Sequence, residues 1–532
     1  MKQILLSIFA IMQLSAQMPT QLFAQALVQT QEQALTPTST QEPKQAPARV
    51  FSQHPTQFKS VRNISEQNNI ILGIEMLEHY LPLLKGKRVA VVVNQTSVFP
   101  LYKANSDGTL FLDKIKQQRQ FGQNGTFWQN GQNERNRQYG QQGQREQRKQ
   151  WQNGQQIQQE QQPEQQQQQQ WRQRQYGQKT GRNDNSGFLG AGTHLVDTLL
   201  SLKIQIKKIF SPEHGFRGGS EAGANIKSSI DSATGLPVIS LYGKDKKPSL
   251  KSLKNIDVVV FDLQDVGTRF YTYISTLQYV MEACAEAKIP LIVLDRPNPN
   301  GYYVDGPVLD TSLRSFVGMQ PIPIVHGLTI CEYALMLKGE KWVQGNVDLT
   351  VIPMKRYNRN RTYQLAVKPS PNLSTMNSIL YYPSLCLFEG TAVSVGRGTR
   401  TPFMCYGFPK CPVGYFNFTP VAMKGISENP PYKDIQCKGF FLDGRMENKV
   451  RAKRSIMLEW LIEMYNVYPD KDNFFNSFFD KLAGTKTLQQ QIKQGRTADE
   501  IRTLWKPDLD KFKAIRKKYL LYEDIVDGIV PR

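Results

Sequence analysis

The chain has 532 residues, enough for two or three domains with a substantial core, and 39% of them are hydrophobic. Its formal net charge is +21, which often indicates a nucleic-acid or membrane-surface partner. Twelve Lys/Arg and four Glu fall between Lys114 and Arg182, and no zinc-finger, RNA-recognition or helix-turn-helix signature is present. The composition therefore favours a mostly globular protein without a nucleic-acid partner.

The N-terminus is typical of an export signal. "MKQILLSIFAIMQL" has one Lys before an apolar run that is too short to cross a bilayer, and Ala24 and Ala26 form an A-x-A cleavage pattern. No Cys lies near that pattern, and no later stretch is apolar enough to span a membrane. We therefore expect a signal peptide at 1–26 and an exported protein, periplasmic or extracellular, without a membrane anchor.

Residues 27–65 are rich in Gln, Thr and Pro, which predicts a disordered leader. The folded pattern begins at "ILGIEMLEHYLPLLKG", whose apolar spacing predicts a helix, and a strand follows at Arg88–Val93. A Gln-rich insert then occupies residues 114–186. It is too polar to pack a core, so we expect it to be a disordered interruption of the domain.

Helices and strands alternate after the insert. "THLVDTLLSLK", "PSLKSLKN" and "YTYISTLQYVMEACAEAKI" predict helices, and "IQIKKIFS", "IDVVVFDLQD" and "PLIVLDRPNP" predict strands. "GLPVISLYG" is assigned to a loop. Strands this apolar are buried on both faces, so the pattern predicts an α/β domain with a mostly parallel sheet over residues 66–345.

The pattern changes from about Val347. Short strands such as "VDLTVIPM" are followed by C-terminal helices at "SIMLEWLIEMY" and "PDLDKFKAIRKKYLLY". These segments predict a second, smaller α+β domain over residues 346–532. The chain has six Cys, of which Cys405 and Cys411 are close enough in sequence to pair. Cys284 and Cys331 lie in apolar helical patterns, where buried free thiols are the alternative.

Polar side chains follow four of the predicted strands. The carboxyl ends of parallel strands lie on one edge of a sheet, where ligands usually bind. Ordinary loop polarity and helix capping are the alternative explanation. The candidate substrate-binding or catalytic residues at these strand ends are Asn94, Glu213, His214, Asp262, Gln264, Asp265, Asp295, Arg296 and Asn298.

The absence of several well-known sequence motifs limits the reactions that this protein can be expected to catalyse. No G-x-G-x-x-G follows the first strand, and neither a P-loop nor a G-x-S-x-G elbow is present, so we expect no cofactor. No Cys or His spacing predicts a zinc site. Carboxylates near Tyr271 and Tyr273 suit glycoside hydrolysis, in which a protonated acid donates its proton to the leaving oxygen. Glu213 is the best acid, because burial after an apolar strand favours its protonated form.

Several motifs together are highly specific. "FSPEHGFRG", "VVVFDLQDVGTRFYTYISTL", "VLDRPNPNG" and "YYPSLCLFEGTAVSVGRGT" resemble the NamZ/YbbC-like exo-β-N-acetylmuramidase family over about residues 69–525, apart from the insert. The resemblance implies a Rossmann-like catalytic domain, a smaller C-terminal domain and an active site between them. It implies release of N-acetylmuramic acid from the non-reducing ends of peptidoglycan fragments. The family's proposed catalytic Glu corresponds to Glu213.

The resemblance also assigns candidate roles. The lactyl carboxylate of muramic acid suits a guanidinium group, and the candidates are Arg217, Arg269, Arg296 and Arg397. The second catalytic group is Asp265, Glu389 or the substrate's own N-acetyl group. Glu389 and Glu332 are expected to reach the cleft from its other side, unless Glu332 is a helix-face carboxylate.

Two other classes of function stay open. One is a metal-dependent cell-wall amidase or deacetylase. The other is a non-catalytic protein that binds cell-wall glycans and leaves them uncut. The residues that would serve the metal-dependent enzyme are His214, Asp262, Asp265 and Asp295.

Overall fold

The computed structural model describes residues 49–50, 70–100, 191–217, 228–526, 528 and 530. The predicted signal peptide, the Gln-rich insert and almost all of the predicted leader lie outside the described residues. Within the leader, Arg49–Val50 form a short strand, which differs from the disorder expected there. The described residues from Arg49 onwards belong to one compact unit.

Thirteen strands occur among the described residues. In chain order they are β1 Arg49–Val50, β2 Arg88–Val93, β3 Val98–Pro100, β4 Ala191–His194, β5 Gln205–Ser211, β6 Ser229–Ile230, β7 Pro237–Ser240, β8 Val258–Asp262, β9 Leu291–Leu294, β10 Leu349–Ile352, β11 Cys405–Phe408, β12 Phe416–Phe418 and β13 Cys437–Phe441.

Eight of these strands form one large sheet in the order β1-β10-β9-β8-β2-β5-β7-β6. All neighbours are parallel except the antiparallel pair β6 and β7. Alternate residues of β2 belong to two separate apolar clusters, with Val92 in one and Val91 and Val93 in the other. Because both faces of the sheet are covered, its central strands β2, β8 and β9 are almost entirely apolar. The predicted α/β fold with a mostly parallel sheet is confirmed.

The described helices number eleven. In chain order they are α1 Leu77–Leu84, α2 Leu195–Ser201, α3 Leu250–Leu253, α4 Tyr273–Ala287, α5 Ile330–Gly339, α6 Met376–Leu385, α7 Arg445–Lys453, α8 Leu458–Val467, α9 Phe479–Ala483, α10 Thr487–Lys493 and α11 Ala498–Lys517. Short 3₁₀ helices lie at Gly73–Glu75, Thr311–Leu313 and Cys386–Gly390. No helix in the described ranges is both long and apolar enough to cross a membrane.

Three segments differ from the sequence-based prediction. The predicted loop "GLPVISLYG" contains β7, which pairs with β5 through Val238 opposite Ile209. The strand at "VDLTVIPM" is β10 of the large sheet, where Thr350 lies opposite Ile292 of β9. The last helix begins at Ala498, well before the predicted start, because Thr497 and Glu500 form a capping box.

The smaller C-terminal part contains an antiparallel sheet in the order β11-β13-β12, surrounded by helices α6 to α11. Most of its buried side chains, including Phe388 and Trp460, belong to the same apolar cluster as one face of the large sheet, and Cys405, Phe418 and Cys437 form a small cluster of their own. The C-terminal part therefore packs against the large sheet on a shared core, close to the ends of its strands.

Candidate active site

The four polar strand ends meet in space, because β9, β8, β2 and β5 are neighbours in the large sheet. Arg296 binds Asp262 through two hydrogen bonds, Nε to Oδ1 at 2.6 Å and Nη2 to Oδ2 at 2.8 Å. Gln264 donates to the carbonyl of Pro297 at 2.6 Å. The strand ends therefore satisfy one another's hydrogen bonds.

Several carboxylates and amides behind this edge are also hydrogen-bonded within the protein. Asp295 accepts hydrogen bonds from the Thr329 hydroxyl at 2.9 Å and from the backbone N–H of Cys331 at 3.1 Å. Burial raises the pKa of Asp295 to about 7. Glu332 pairs with Arg359 at 2.7 Å and caps its own helix, as the helix-face alternative expected. The Asn298 side chain donates to the carbonyl of Leu328 at 2.8 Å, and the Asn94 side chain donates to the Tyr273 hydroxyl at 2.6 Å.

Arg269 is fully buried and links the large sheet to the C-terminal part. Its Nη1 donates to the carbonyls of Pro307 and Ile322, at 2.8 and 2.7 Å. Its Nη2 donates to the carbonyls of Leu482 and Ala483, at 3.0 and 2.7 Å. Burial lowers the pKa of Arg269 to about 9, so it stays protonated at neutral pH. Arg269 thus connects four backbone carbonyls.

A cavity of about 620 Å³ lies between the strand ends of the sheet and the C-terminal part. Its walls come from the turn after β5, the segments after β7 and β8, and C-terminal residues between 370 and 482. Five of the candidates named from the sequence line it: Glu213, His214, Tyr271, Glu389 and Arg397. The other candidates lie in the buried networks or beside the cavity.

Glu213 is presented to the cavity by a tight turn. The N–H of Gly215 donates to the carbonyl of Pro212 at 3.2 Å, and His214 and Gly215 have φ of 74° and 77°. A left-handed His is uncommon and costs about 1 kcal/mol, so the surrounding structure holds this turn in place. The Thr272 hydroxyl donates to Glu213 Oε2 at 2.7 Å, and Glu213 is only 8% exposed.

Aromatic side chains form one wall of the cavity. Tyr271 donates to the carbonyl of Pro369 at 2.9 Å, and its ring meets that of Tyr273 edge-on at 4.7 Å. Tyr273 lies behind Tyr271 and receives a 2.6 Å hydrogen bond from Asn94. Burial raises the pKa of both phenols, so they act as neutral hydrogen-bonding groups. Tyr382, edge-on to Phe270 at 5.3 Å, extends the wall.

Glu389 and Arg397 face the cavity from the C-terminal part as an ion pair, in which Arg397 Nε donates to Glu389 Oε1. The Cys386 thiol lies 3.5 Å from Glu389 Oε2. The two side chains are 21% and 19% exposed, far more than the Asp262–Arg296 pair. The Glu389–Arg397 pair is therefore within reach of a ligand.

Asp265 lies in a buried pocket outside the cavity wall. Burial raises the pKa of its carboxyl group to about 7, although the N–H of Gly267 donates to Oδ2 at 2.7 Å. His326 Nε2 lies 3.9 Å from that oxygen, too far for a hydrogen bond, and burial lowers the pKa of His326 to about 3. Asp265 therefore holds a proton up to nearly neutral pH, beside an uncharged His.

Arg217 lies beside the Glu213 turn and forms two hydrogen bonds with Asp231, at 3.1 and 2.9 Å. Its guanidinium lies 4.4 Å from the ring centroid of Phe216. Arg217 therefore fastens the turn to the segment before β7 and is not part of the cavity wall.

Sequence reasoning missed several cavity residues. Tyr242 and Lys246 follow β7, and they were overlooked because that segment was assigned to a loop. Thr272 lies between the two tyrosines that were named, so its position was a usable signal. Asn372 and Phe478 come from irregular C-terminal segments, for which the sequence offers no pattern.

The metal-dependent alternative and the disulfide expectation can also be compared with the structure. Within the described ranges, no group of three or more His, Cys, Asp or Glu side chains is arranged to hold a metal ion. All six Cys are buried free thiols, so Cys405 and Cys411 do not pair.

The fold and the cavity together define a class of protein. An open parallel sheet has at its strand ends a cavity with two carboxylates, several aromatic rings and amide groups. Carboxyl groups next to aromatic side chains are typical of the active sites of glycoside hydrolases.

Comparison with known proteins identifies the family. The family model for the N-terminal part of the exo-β-N-acetylmuramidase NamZ matches residues 183–377, and the model for its C-terminal part matches residues 380–522. The chain is 40% identical over 335 residues to the peptidoglycan β-N-acetylmuramidase NamZ of Bacillus subtilis strain 168, which covers 60% of this chain and 80% of that protein.

Two solved structures from Bacteroides fragilis NCTC 9343, both DUF1343 family proteins, have the same fold. One is 37% identical with a TM-score of 0.64, and the match covers 86% of this chain and 99% of that one. The other is 25% identical with a TM-score of 0.54, covering 86% and 100%. The chain belongs to the NamZ exo-β-N-acetylmuramidase family, and it is an enzyme of the glycoside hydrolase class.

Proposed function

We propose that this enzyme removes N-acetylmuramic acid from the non-reducing ends of peptidoglycan fragments by hydrolysing the β-glycosidic bond. Membership of the NamZ family and the β-N-acetylmuramidase activity for which the Bacillus subtilis relative is named support this proposal. The cavity volume of about 620 Å³ lies within the usual range for small-ligand pockets.

Glu213 is the general acid in this proposal. It donates a proton to the glycosidic oxygen as the bond to the anomeric carbon breaks, so the leaving sugar departs as an alcohol. The observation that carries this assignment is its position: Glu213 is 8% exposed, lines the cavity and is oriented by the Thr272 hydroxyl at 2.7 Å.

The second participant is the substrate's own acetamido oxygen. Asp265 lies outside the cavity wall, which argues against it as the second carboxylate. Glu389 does line the cavity, but its oxygens are engaged by Arg397 and by the Cys386 thiol. An acetamido group two bonds from the anomeric carbon can stabilise the positive charge that develops there, until a water molecule bonds to that carbon and returns a proton to Glu213.

The test replaces Glu213 with Gln and measures hydrolysis of a chromogenic β-linked N-acetylmuramic acid glycoside bearing a poor leaving group. We expect kcat to fall at least about 100-fold, because the amide cannot donate the proton. Glu282→Gln is the matched control: Glu282 is also 8% exposed but lies on α4, bonded to Gln278 at 3.0 Å. Equal activity of the two variants would remove Glu213 from the acid role.

The metal-dependent amidase or deacetylase has less support. His214 lines the cavity, but the Asp262 carboxylate is hydrogen-bonded to Arg296. The Asp295 carboxylate accepts hydrogen bonds from Thr329 and Cys331. Hydrolysis of amide bonds in cell-wall fragments that is lost with a chelator and restored by a divalent metal would favour it again.

We further propose that the enzyme acts outside the cytoplasm, where peptidoglycan lies. The support is the N-terminal pattern, which falls outside the described residues. Fractionation of cells that express the full chain, and a chain without residues 1–26, tests this placement. Equal export of both chains would contradict it.

A further inference from the structure

The cavity contains few positively charged groups. Among the described Lys and Arg residues, Lys246 and Arg397 line it. Lys246 Nζ donates to the carbonyl of Gly243 at 2.7 Å and lies 5.3 Å from the ring centroid of Phe316. A ligand that brings its own carboxylate into the cavity therefore has two side chains that could neutralise it.

The three other arginines that the sequence suggested for carboxylate binding are hydrogen-bonded to other groups of the protein. Arg217 holds Asp231, Arg296 holds Asp262, and Arg269 donates to four backbone carbonyls. Moving any of these guanidinium groups to a substrate would leave a buried or half-buried partner without its hydrogen bonds, which is unfavourable. They are therefore poor candidates for binding an anionic substrate.

Arg397 differs from these three because only its Nε is used. It donates from Nε to Glu389, while Nη1 and Nη2 make no hydrogen bond with any described residue. The Arg397 guanidinium lies 5.1 Å from the ring centroid of Phe403. Glu389 and Phe403 thus fix the guanidinium from two sides, and its two terminal nitrogens can still donate to a planar, bidentate acceptor.

We propose that Arg397 is the specificity-determining residue of this enzyme: its Nη1 and Nη2 bind the carboxylate of the lactyl ether that distinguishes N-acetylmuramic acid from N-acetylglucosamine. Glu389 is a positioning residue for Arg397. This inference rests on the proposed function. Because Glu389 balances the charge of Arg397, the site attracts a stray anion only weakly and depends on bidentate geometry.

The experiment compares three chromogenic β-glycosides: N-acetylmuramic acid, its methyl ester and N-acetylglucosamine. The ester and the glucosamine lack the carboxylate but keep the same reacting bond. For the wild type we expect a preference for the free acid. In Arg397→Met we expect kcat/KM for the free acid to fall about 100-fold, with less than about a threefold change for the other two.

Three further variants complete the design. Arg397→Lys keeps the charge without the forked geometry, and we expect most of the preference to be lost. Glu389→Gln/Arg397→Met avoids leaving Glu389 with an unpaired charge, so it serves if the single variant does not fold. Lys246→Met removes the other cation of the cavity wall, and we expect it to keep the preference for the free acid.

The outcomes separate this inference from the function on which it rests. If the wild type leaves the free acid uncut, the proposed function fails. If the wild type cleaves it and the Arg397 variants lose activity equally on all three substrates, the inference about Arg397 is wrong. It is also wrong if Lys246→Met, and not Arg397→Met, abolishes the preference for the free acid.

Discussion

Two arginine–carboxylate pairs show how differently the edge of the large sheet and the wall of the cavity use the same chemistry. The Asp262–Arg296 pair at the sheet edge has side-chain exposures of 0% and 2%. The Glu389–Arg397 pair in the cavity wall is about one fifth exposed. The carboxylate of the first pair accepts two hydrogen bonds from its arginine, whereas the arginine of the second pair donates to its carboxylate through Nε alone.

The difference teaches that a cluster of polar residues at strand ends is not in itself an active site. Most of the side chains at the sheet edge hold neighbouring strand ends together. Of the four strand ends singled out from the sequence, the described residues that reach the cavity are the turn with Glu213 and His214 and the segment around Tyr271. The exposed ion pair comes from the C-terminal part, so the site depends on both parts of the chain.

The largest expected effect on stability comes from breaking the buried Asp262–Arg296 pair. Asp262→Asn leaves the Arg296 guanidinium buried beside a neutral group, and we expect the free energy of unfolding to fall by about 3–5 kcal/mol. Chemical denaturation at neutral pH measures this loss. Asp257→Asn is the control, because Asp257 pairs with the exposed Arg88 at 2.7 Å and should change stability little. Similar losses in both variants would contradict the comparison.

The second effect concerns Asp265, which follows the strand that Asp262 ends but has no arginine partner among the described residues. Burial raises the pKa of Asp265 from 3.8 to about 7. The folded protein therefore holds a proton that the unfolded chain releases between about pH 4 and 7, so this contribution to stability is present below about pH 4 and is lost as the pH rises to about 7.

Asp265→Asn imitates the protonated acid at every pH and should remove this dependence. Relative to the wild type, we expect the variant to gain about 2–3 kcal/mol in the free energy of unfolding between about pH 5 and pH 8. Denaturation series at the two pH values measure the gain. Part of the pH dependence should persist, because Asp295 has a similar pKa. Parallel profiles of variant and wild type would show that Asp265 is ionised throughout.

The smallest effect on stability is expected in the cavity wall. Glu389→Gln should cost about 1 kcal/mol, because the pair is partly exposed and an amide oxygen can still accept from Arg397. Kinetics on the muramic acid glycoside should show a raised KM, with kcat reduced less than about tenfold. A fall in kcat as large as that of Glu213→Gln would instead make Glu389 the second catalytic group.

The sequence was sufficient for those features that local patterns determine. Apolar runs such as "IDVVVF" predicted the central strands, and the residues after them predicted the shared edge. β7 was missed because its exposure alternates and Pro237 at its start resembles a turn signal. No local pattern separates Asp262 from Glu213: both follow apolar strands, and only the fold brings Arg296 onto one and Thr272 onto the other.

Arg269 has a further consequence for how the enzyme meets its substrate. By joining the carbonyls of Pro307 and Ile322 to those of Leu482 and Ala483, it fixes a stretch of the cavity lining that includes Leu482. A lining that is already rigid spends little binding energy on being ordered when a sugar arrives. The cavity can therefore act as a preformed binding site for the terminal sugar.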